Sequence, residues 1–256
     1  MLEPTVIFLA GFWAGMINVV VGSGTLVTFP VLLLFGYPPL VANISNNIGL
    51  VAGGLSGTWG YRKELAPNKA LILRLLPASL AGGLAGALLL FVLPPAAFSA
   101  IVPVLIVLGL LMVGFGQILQ RWLARGRPAA GDPARSRTGA GLVVGIFVLG
   151  LYGGYFGAAQ GILIVGLMGI MTTVALQQIN AVKNVLTTAV NGVAALTFMV
   201  IAWNYIDWSV TALIAGGAFL GGLTGAKYGR KMPPSVLRAT IVVVGIAALA
   251  KMILFT

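Results

Sequence analysis

Apolar residues run along this chain in ten segments, at roughly 5–22, 25–36, 40–60, 69–92, 97–120, 139–157, 161–174, 177–202, 208–228 and 235–255. Segments near 20 residues span a bilayer as helices, because a helix rises about 1.5 Å per residue across a hydrocarbon core of about 30 Å. Two segments, 25–36 and 161–174, are too short to span easily. Each follows a glycine-bearing break, Gly22-Ser23-Gly24 in one case and Gly157-Ala158-Ala159-Gln160-Gly161 in the other. Glycines there could serve helix packing alone. Their matched placement in the two halves favours interrupted helices, the pattern of transporter binding sites.

The polar positions repeat as well. Asn43-Ile44-Ser45-Asn46-Asn47 returns as Asn180-Ala181-Val182-Lys183-Asn184, 137 residues later, and Gly24 returns as Gly161 at the same offset. Gly82-Gly83-Leu84-Ala85-Gly86-Ala87 returns as Gly221-Gly222-Leu223-Thr224-Gly225-Ala226 at offset 139, and Leu93-Pro94-Pro95 as Met232-Pro233-Pro234 at the same offset. Matches in register over this length mark a duplication. The chain divides into a first repeat, 1–121, a basic loop, 122–138, and a second repeat, 139–256.

Composition sharpens the class. With 59% hydrophobic and 7% charged residues, the chain falls far short of the charge that keeps a soluble domain in solution, about a quarter of its residues. The expected fold is all-α: a polytopic membrane protein of two repeats, each of about five hydrophobic segments including one short half-helix. The chain contains no Cys and no His. Thiol chemistry and most zinc and haem sites are thereby excluded, and no metal or cofactor is expected. The four acids, Glu3, Glu64, Asp132 and Asp207, lie in or beside expected loops. No cleavable leader is evident, since the first apolar segment runs on without a small-residue cleavage site.

The net charge of +11 would suggest nucleic acid in a soluble protein, but these cations cluster at segment ends, so membrane orientation is the simpler reading. Arg62, Lys63 and Lys69 flank one loop, Arg121, Arg125, Arg127, Arg135 and Arg137 fill the central one, and Lys227, Arg230, Lys231 and Arg238 flank a third. Positive-inside bias makes these cytoplasmic and both termini external, in a plasma (inner) membrane. The Pro94-Pro95 turn is then outside and its partner Pro233-Pro234 inside, so the repeats are expected to be inverted. Trp59, Tyr61, Trp122, Trp203, Tyr205, Trp208 and Tyr228 sit at segment ends as interfacial anchors.

Residues three and four apart share a helix face. Asn43, Asn46 and Asn47 therefore form one polar stripe, and Asn180, Lys183 and Asn184 another. Polar groups inside a membrane are costly and mark substrate paths. With Ser23, Gly24, Gln160 and Gly161 at the half-helix starts, these residues are the candidate substrate-binding set. Ser45, Thr187, Thr188 and Asn191 are candidate additions. One fixed cation, Lys183, with amide donors, hydroxyls and no acid, selects an anion. Lys183 could instead snorkel to the surface, but it shares a face with two asparagines of a repeated motif. Cation coupling through backbone carbonyls stays open.

At these residues the chain resembles the TauE/SafE, or sulfite exporter, family. The resemblance rests on Gly22-Ser23-Gly24, the stretch from Phe29-Pro30 to Gly36-Tyr37-Pro38-Pro39, and Asn43 to Asn47, and extends over nearly the whole chain. The second half departs from the pattern, with fewer glycines at 157–161 and Met171-Thr172-Thr173-Val174 where the first has its Pro-rich turn. The resemblance implies a secondary transporter, often an exporter, of sulfite, sulfoacetate, thiosulfate or related sulfonates. The alternatives are a passive anion channel and a transporter of another small inorganic anion. A membrane enzyme has few candidate acid–base groups here, and a structural subunit would not need matched polar stripes. The expected partners are a small anion and the lipid bilayer, not nucleic acid.

The orientation is testable because the native chain lacks cysteine. Single Arg127→Cys, Asp207→Cys and Thr256→Cys variants, exposed on intact cells to an impermeant thiol reagent, should label at the last two positions. Labelling at Arg127→Cys alone would reverse the orientation.

Overall fold

A computed structural model describes residues 2–92, 94–125, 139–228 and 234–254. Eleven α-helices are described: α1 (Leu2–Val20), α2 (Thr25–Leu34), α3 (Pro39–Gly60), α4 (Arg62–Leu65), α5 (Lys69–Val92), α6 (Pro95–Arg125), α7 (Ala140–Tyr155), α8 (Gln160–Met171), α9 (Leu176–Ile201), α10 (Trp208–Tyr228) and α11 (Pro234–Leu254). Each of the ten apolar segments is a helix, and α4 is a short addition. Residues 126–138 of the basic loop, with Leu93, Arg230, Lys231, Met232 and Pro233, lie outside the described residues.

The fold is all-α and built for lipid. Among the described residues five helical stretches are long and apolar enough to cross a membrane: Leu2–Val20, Arg62–Val92, Pro95–Phe115, Leu176–Ile201 and Trp208–Tyr228. The 22-residue α3 is equally long but buries Asn43, Ser45, Asn46, Asn47 and Ser56. Meanwhile Val104, Leu111, Val144, Leu196, Val200 and Val243 face outward. Apolar side chains outside and amides inside is the arrangement hydrocarbon solvent demands, since water is not there to satisfy exposed polar groups.

Each of the two short helices returns along the helix before it. In the first half the hydroxyl of Tyr37, just beyond α2, donates to Glu3 Oε1 at the start of α1, at 2.7 Å. In the second, Gly141 lies against Met171, Gly145 against Leu167 and Gly153 against Gln160. Both pairs are antiparallel hairpins. Their tips carry the left-handed backbone that sharp reversal needs, at Gly22 (φ +88°), Gly157 (φ +75°) and Ala159 (φ +59°). Ala159 matches Gly22 at the 137-residue offset. An alanine in this region is disfavoured by roughly 1–2 kcal/mol, so the surrounding packing imposes it.

The two halves interlock. Helix α10 of the second half packs on α1 and α3 of the first, and α5 of the first packs reciprocally on α7 and α9 of the second. Likewise α11 packs on α2, and α6 on α8. Glycines permit the close approach: a side chain at Gly221 would run into the Phe12 carbonyl, and one at Gly82 into the Phe147 carbonyl. Helices α3 and α9, equivalent in sequence, meet and run antiparallel. Ser45 near the start of α3 accepts the Asp207 N–H beyond the end of α9, at 2.9 Å. At the other end Gln177 Nε2 donates to Glu64 Oε1 at 3.1 Å.

The tips meet at Gly22 and Gly161. The Gly161 N–H donates to Gly22 O at 3.0 Å, and a Cβ on Gly22 would lie 2.5 Å from the Gly161 Cα. Gly36 has the same φ sign (+89°) but open space around it. Gly36→Ala should therefore lose only the conformational term, about 1–2 kcal/mol. Gly22→Ala should lose about 1–3 kcal/mol more from overpacking. Unfolding in detergent checks the order, and equal losses would remove the tip contact from the account.

Candidate functional site

Interrupting a helix in an apolar interior strands its last carbonyls. Here the long helix of each half reaches across to satisfy them. Lys183 of α9 donates from Nζ to Asn18 O at 3.1 Å and Val19 O at 3.0 Å, at the end of α1. Asn43 of α3 donates from Nδ2 to Tyr155 O at 3.1 Å, at the end of α7. Asn18 and Tyr155 are 137 residues apart, so the capped carbonyls correspond in the repeat. A third side chain does similar work on α2: Lys251 Nζ bonds Leu33 O at 3.1 Å and Leu34 O at 2.7 Å.

Lys183 is fully buried and does not extend to the surface. Its stem passes Gly161, where a Cβ would fall 2.9 Å from the Lys183 Cδ. An ammonium has three N–H donors. Two are held by the α1 carbonyls, which also suits a cation electrostatically at the negative end of a helix dipole.

The other candidates divide by what they touch. Asn46 Oδ1 accepts a short hydrogen bond from the Thr28 hydroxyl. Gln160 Nε2 donates to Leu149 O at 3.0 Å. The Gly161 N–H, expected to be a free donor at the start of α8, is instead held by Gly22 O, because two glycines let the backbones touch. Gly24 packs against the Ala14 carbonyl at the hairpin turn. Asn180 lines a cavity with Val20, Tyr61, Leu176 and Gln177. Of the candidate additions, the Ser45 hydroxyl accepts from Asp207, and the Thr187 and Thr188 hydroxyls bond carbonyls of their own helix; Asn191 is buried.

Three candidates remain unsatisfied. Ser23 Oγ, Asn47 Oδ1 and Asn184 Nδ2 are buried without a hydrogen-bond partner. Their residues are 1%, 7% and 3% exposed. Native interiors rarely leave such groups orphaned, because each costs roughly 1–3 kcal/mol. Asn47 and Asn184 are equivalent positions of the repeat, and Ser23 sits on the first hairpin tip. An amide can turn to present either its oxygen or its NH2, so all three side chains can donate to an anion.

The described acids stay away from this centre. Glu3 accepts from Tyr37, Glu64 from Gln177, and Asp207 Oδ1 caps the Val210 N–H at 3.0 Å. Burial first, and then the Glu3 and Asp207 carboxylates, push the Tyr37 hydroxyl up to about 12, so it remains a donor at neutral pH.

Sequence reasoning missed Thr28 and the α1 and α7 carbonyls. Thr28 was legible as a hydroxyl in the otherwise apolar α2. The carbonyls carry no side-chain signal beyond the break itself.

The family model of the sulfite exporter TauE/SafE matches residues 7–252. The chain belongs to this family. A probable membrane transporter protein of Haemophilus influenzae is 28% identical over 255 residues, covering 97% of this chain and 93% of that protein. One from Sinorhizobium is 25% identical, covering 94% and 88%. The Escherichia coli probable membrane transporter protein YfcA is 23% identical, covering 97% and 88%. No solved structure matches the chain. The chain is thus a multi-pass membrane protein of a transporter family.

The clamp and the orphaned amides predict opposite stability effects. Lys183→Met strands the Asn18 and Val19 carbonyls and should destabilise by roughly 1–3 kcal/mol for each acceptor left unsatisfied. Asn184→Leu removes no hydrogen bond and should be near neutral without ligand. Thermal unfolding in detergent compares them, and a larger loss in Asn184→Leu would overturn the assignment.

Proposed function

We propose that this chain is a secondary transporter, working as an exporter, of small sulfur-containing anions such as sulfite, sulfoacetate or related sulfonates. Substrate binds at the unpartnered Asn47, Asn184 and Ser23 side chains as it passes along the bundle, in a frame of two inverted repeats that gives alternating access from the two faces. The observation that carries this reading is the set of three buried, partnerless polar atoms on repeated positions. The Ser23 hydroxyl, the Asn184 NH2 and, with its amide turned, the Asn47 NH2 are the donors an oxyanion requires, and their desolvation is already complete before it arrives.

Charge supports the same reading. Lys183 is the buried cation on the two stripes, and α3, α8 and α9 carry no acid. Held by the α1 carbonyls, it contributes its field and one remaining N–H rather than a mobile ion pair. The antiparallel course of α3 and α9 supports the inverted frame, because equivalent helices of inverted repeats oppose one another.

Calorimetry on purified protein tests the site. Asn47→Leu and Asn184→Leu should each weaken sulfoacetate binding by roughly 10- to 150-fold, the loss of about 1.5–3 kcal/mol for a hydrogen bond to a charged group. Sulfate and nitrate serve as selectivity controls. Unchanged affinity in both variants would return the amides to a packing role.

A further inference from the structure

Resting on that reading, we infer that the cavity between the end of α1, Tyr61 and the first turns of α9 is the loading vestibule for the anion, with the Asn180 amide as its first contact. The cavity measures about 380 Å³ and is walled by Val20, Tyr61, Leu176, Gln177 and Asn180. It opens at the end of the bundle that carries α4.

The argument comes from broken symmetry. In the first half Asn43 is consumed by the carbonyl of Tyr155. Its repeat partner Asn180 would be expected to take the matching carbonyl, that of Asn18. Lys183 takes that carbonyl instead, from one turn further along α9. Asn180 is thereby left without a described side-chain partner, half-buried on the cavity wall. The lysine that replaces Asn46 in the repeat thus releases an amide for ligand.

The vestibule adjoins the central site. Val20 on its wall follows Val19, whose carbonyl holds Lys183. Asn180 and Asn184 lie one turn apart on one face of α9, so their amides lead from the cavity to the unpartnered Asn184 Nδ2. Arg62 and Lys63 of α4 stand at this end and raise the local concentration of anions. At the opposite end Tyr37 bonds Glu3 at 2.7 Å and the Asp207 N–H bonds Ser45 at 2.9 Å.

The cysteine-free chain permits a direct test in vesicles of known sidedness. Asn180→Cys and Asn43→Cys are exposed to an anionic and a cationic methanethiosulfonate from the face bearing Arg62. Asn180→Cys should react with the anionic reagent about tenfold or more faster than with the cationic one, through the field at the cavity, and sulfoacetate should slow the reaction. Asn43→Cys should stay unreactive from that face. An unreactive Asn180→Cys, or equal labelling of both positions, would overturn the vestibule. If Asn180→Cys fails to fold, Gln177→Cys on the same wall replaces it: its modification must slow sulfoacetate transport, and unaltered transport contradicts the proposal. The two readings fail separately. Loss of sulfoacetate binding in Asn184→Leu beside an unreactive Asn180→Cys overturns the vestibule and leaves the central site standing. Fast anion-selective labelling that sulfoacetate does not slow overturns the sulfonate as its ligand.

Discussion

The architecture depends on how two interrupted helices satisfy their backbone inside an apolar bundle. Ending α1 at Val20 and α7 at Tyr155 strands carbonyls that hydrocarbon cannot hydrate. Lys183 and Asn43 cap them from the opposite half, and the Gly161 N–H seals the tips on Gly22 O. Remove these crossings and neither hairpin has a reason to stay folded back. The interlocking of α10 with α1 and α3, and of α5 with α7 and α9, then follows, because each half must lie against the other to provide its caps.

That constraint also separates the polar side chains that are engaged from those that are not. Asn43, Asn46, Gln160 and Lys183 look alike in sequence to Asn47 and Asn184, yet the first four are engaged with protein groups and the last two are not. Position on the stripe decides the difference. Capping side chains reach carbonyls at the hairpin ends, and Asn47 Oδ1 and Asn184 Nδ2 meet no protein partner. The frame is symmetric, but a lysine stands in one half where the other has Asn46, so the site has one charged side. A positive centre with neutral donors around it suits an anion and needs no carboxylate partner.

Most of the fold was legible because hydropathy and glycine placement act locally. The ten segments, the two short helices and the breaks before them can be read from residues 22–24 and 157–161 without tertiary information. That 25–36 and 161–174 fold back along the preceding helix was not legible, since it rests on contacts such as Tyr37 to Glu3 and Gly145 to Leu167 that no local residue signals. The polar stripes were legible as a set. Their division into caps and unsatisfied donors was not, because the partners are backbone carbonyls brought across from the other repeat. Ala159 in a left-handed turn was hidden for a similar reason: the local sequence asks for glycine, and packing overrides it.

The central claim is that Asn47, Asn184 and Ser23 are unpartnered in the protein because an anion completes them. Its most direct measurement is an experimental structure with a heavy-atom-labelled sulfonate, such as bromoethanesulfonate, located by the anomalous signal of bromine. The account predicts the sulfonate oxygens within hydrogen-bond distance of the Asn47 or the Asn184 amide, with Lys183 still on the Asn18 and Val19 carbonyls. A sulfonate bound away from both amides and from Ser23 would contradict it.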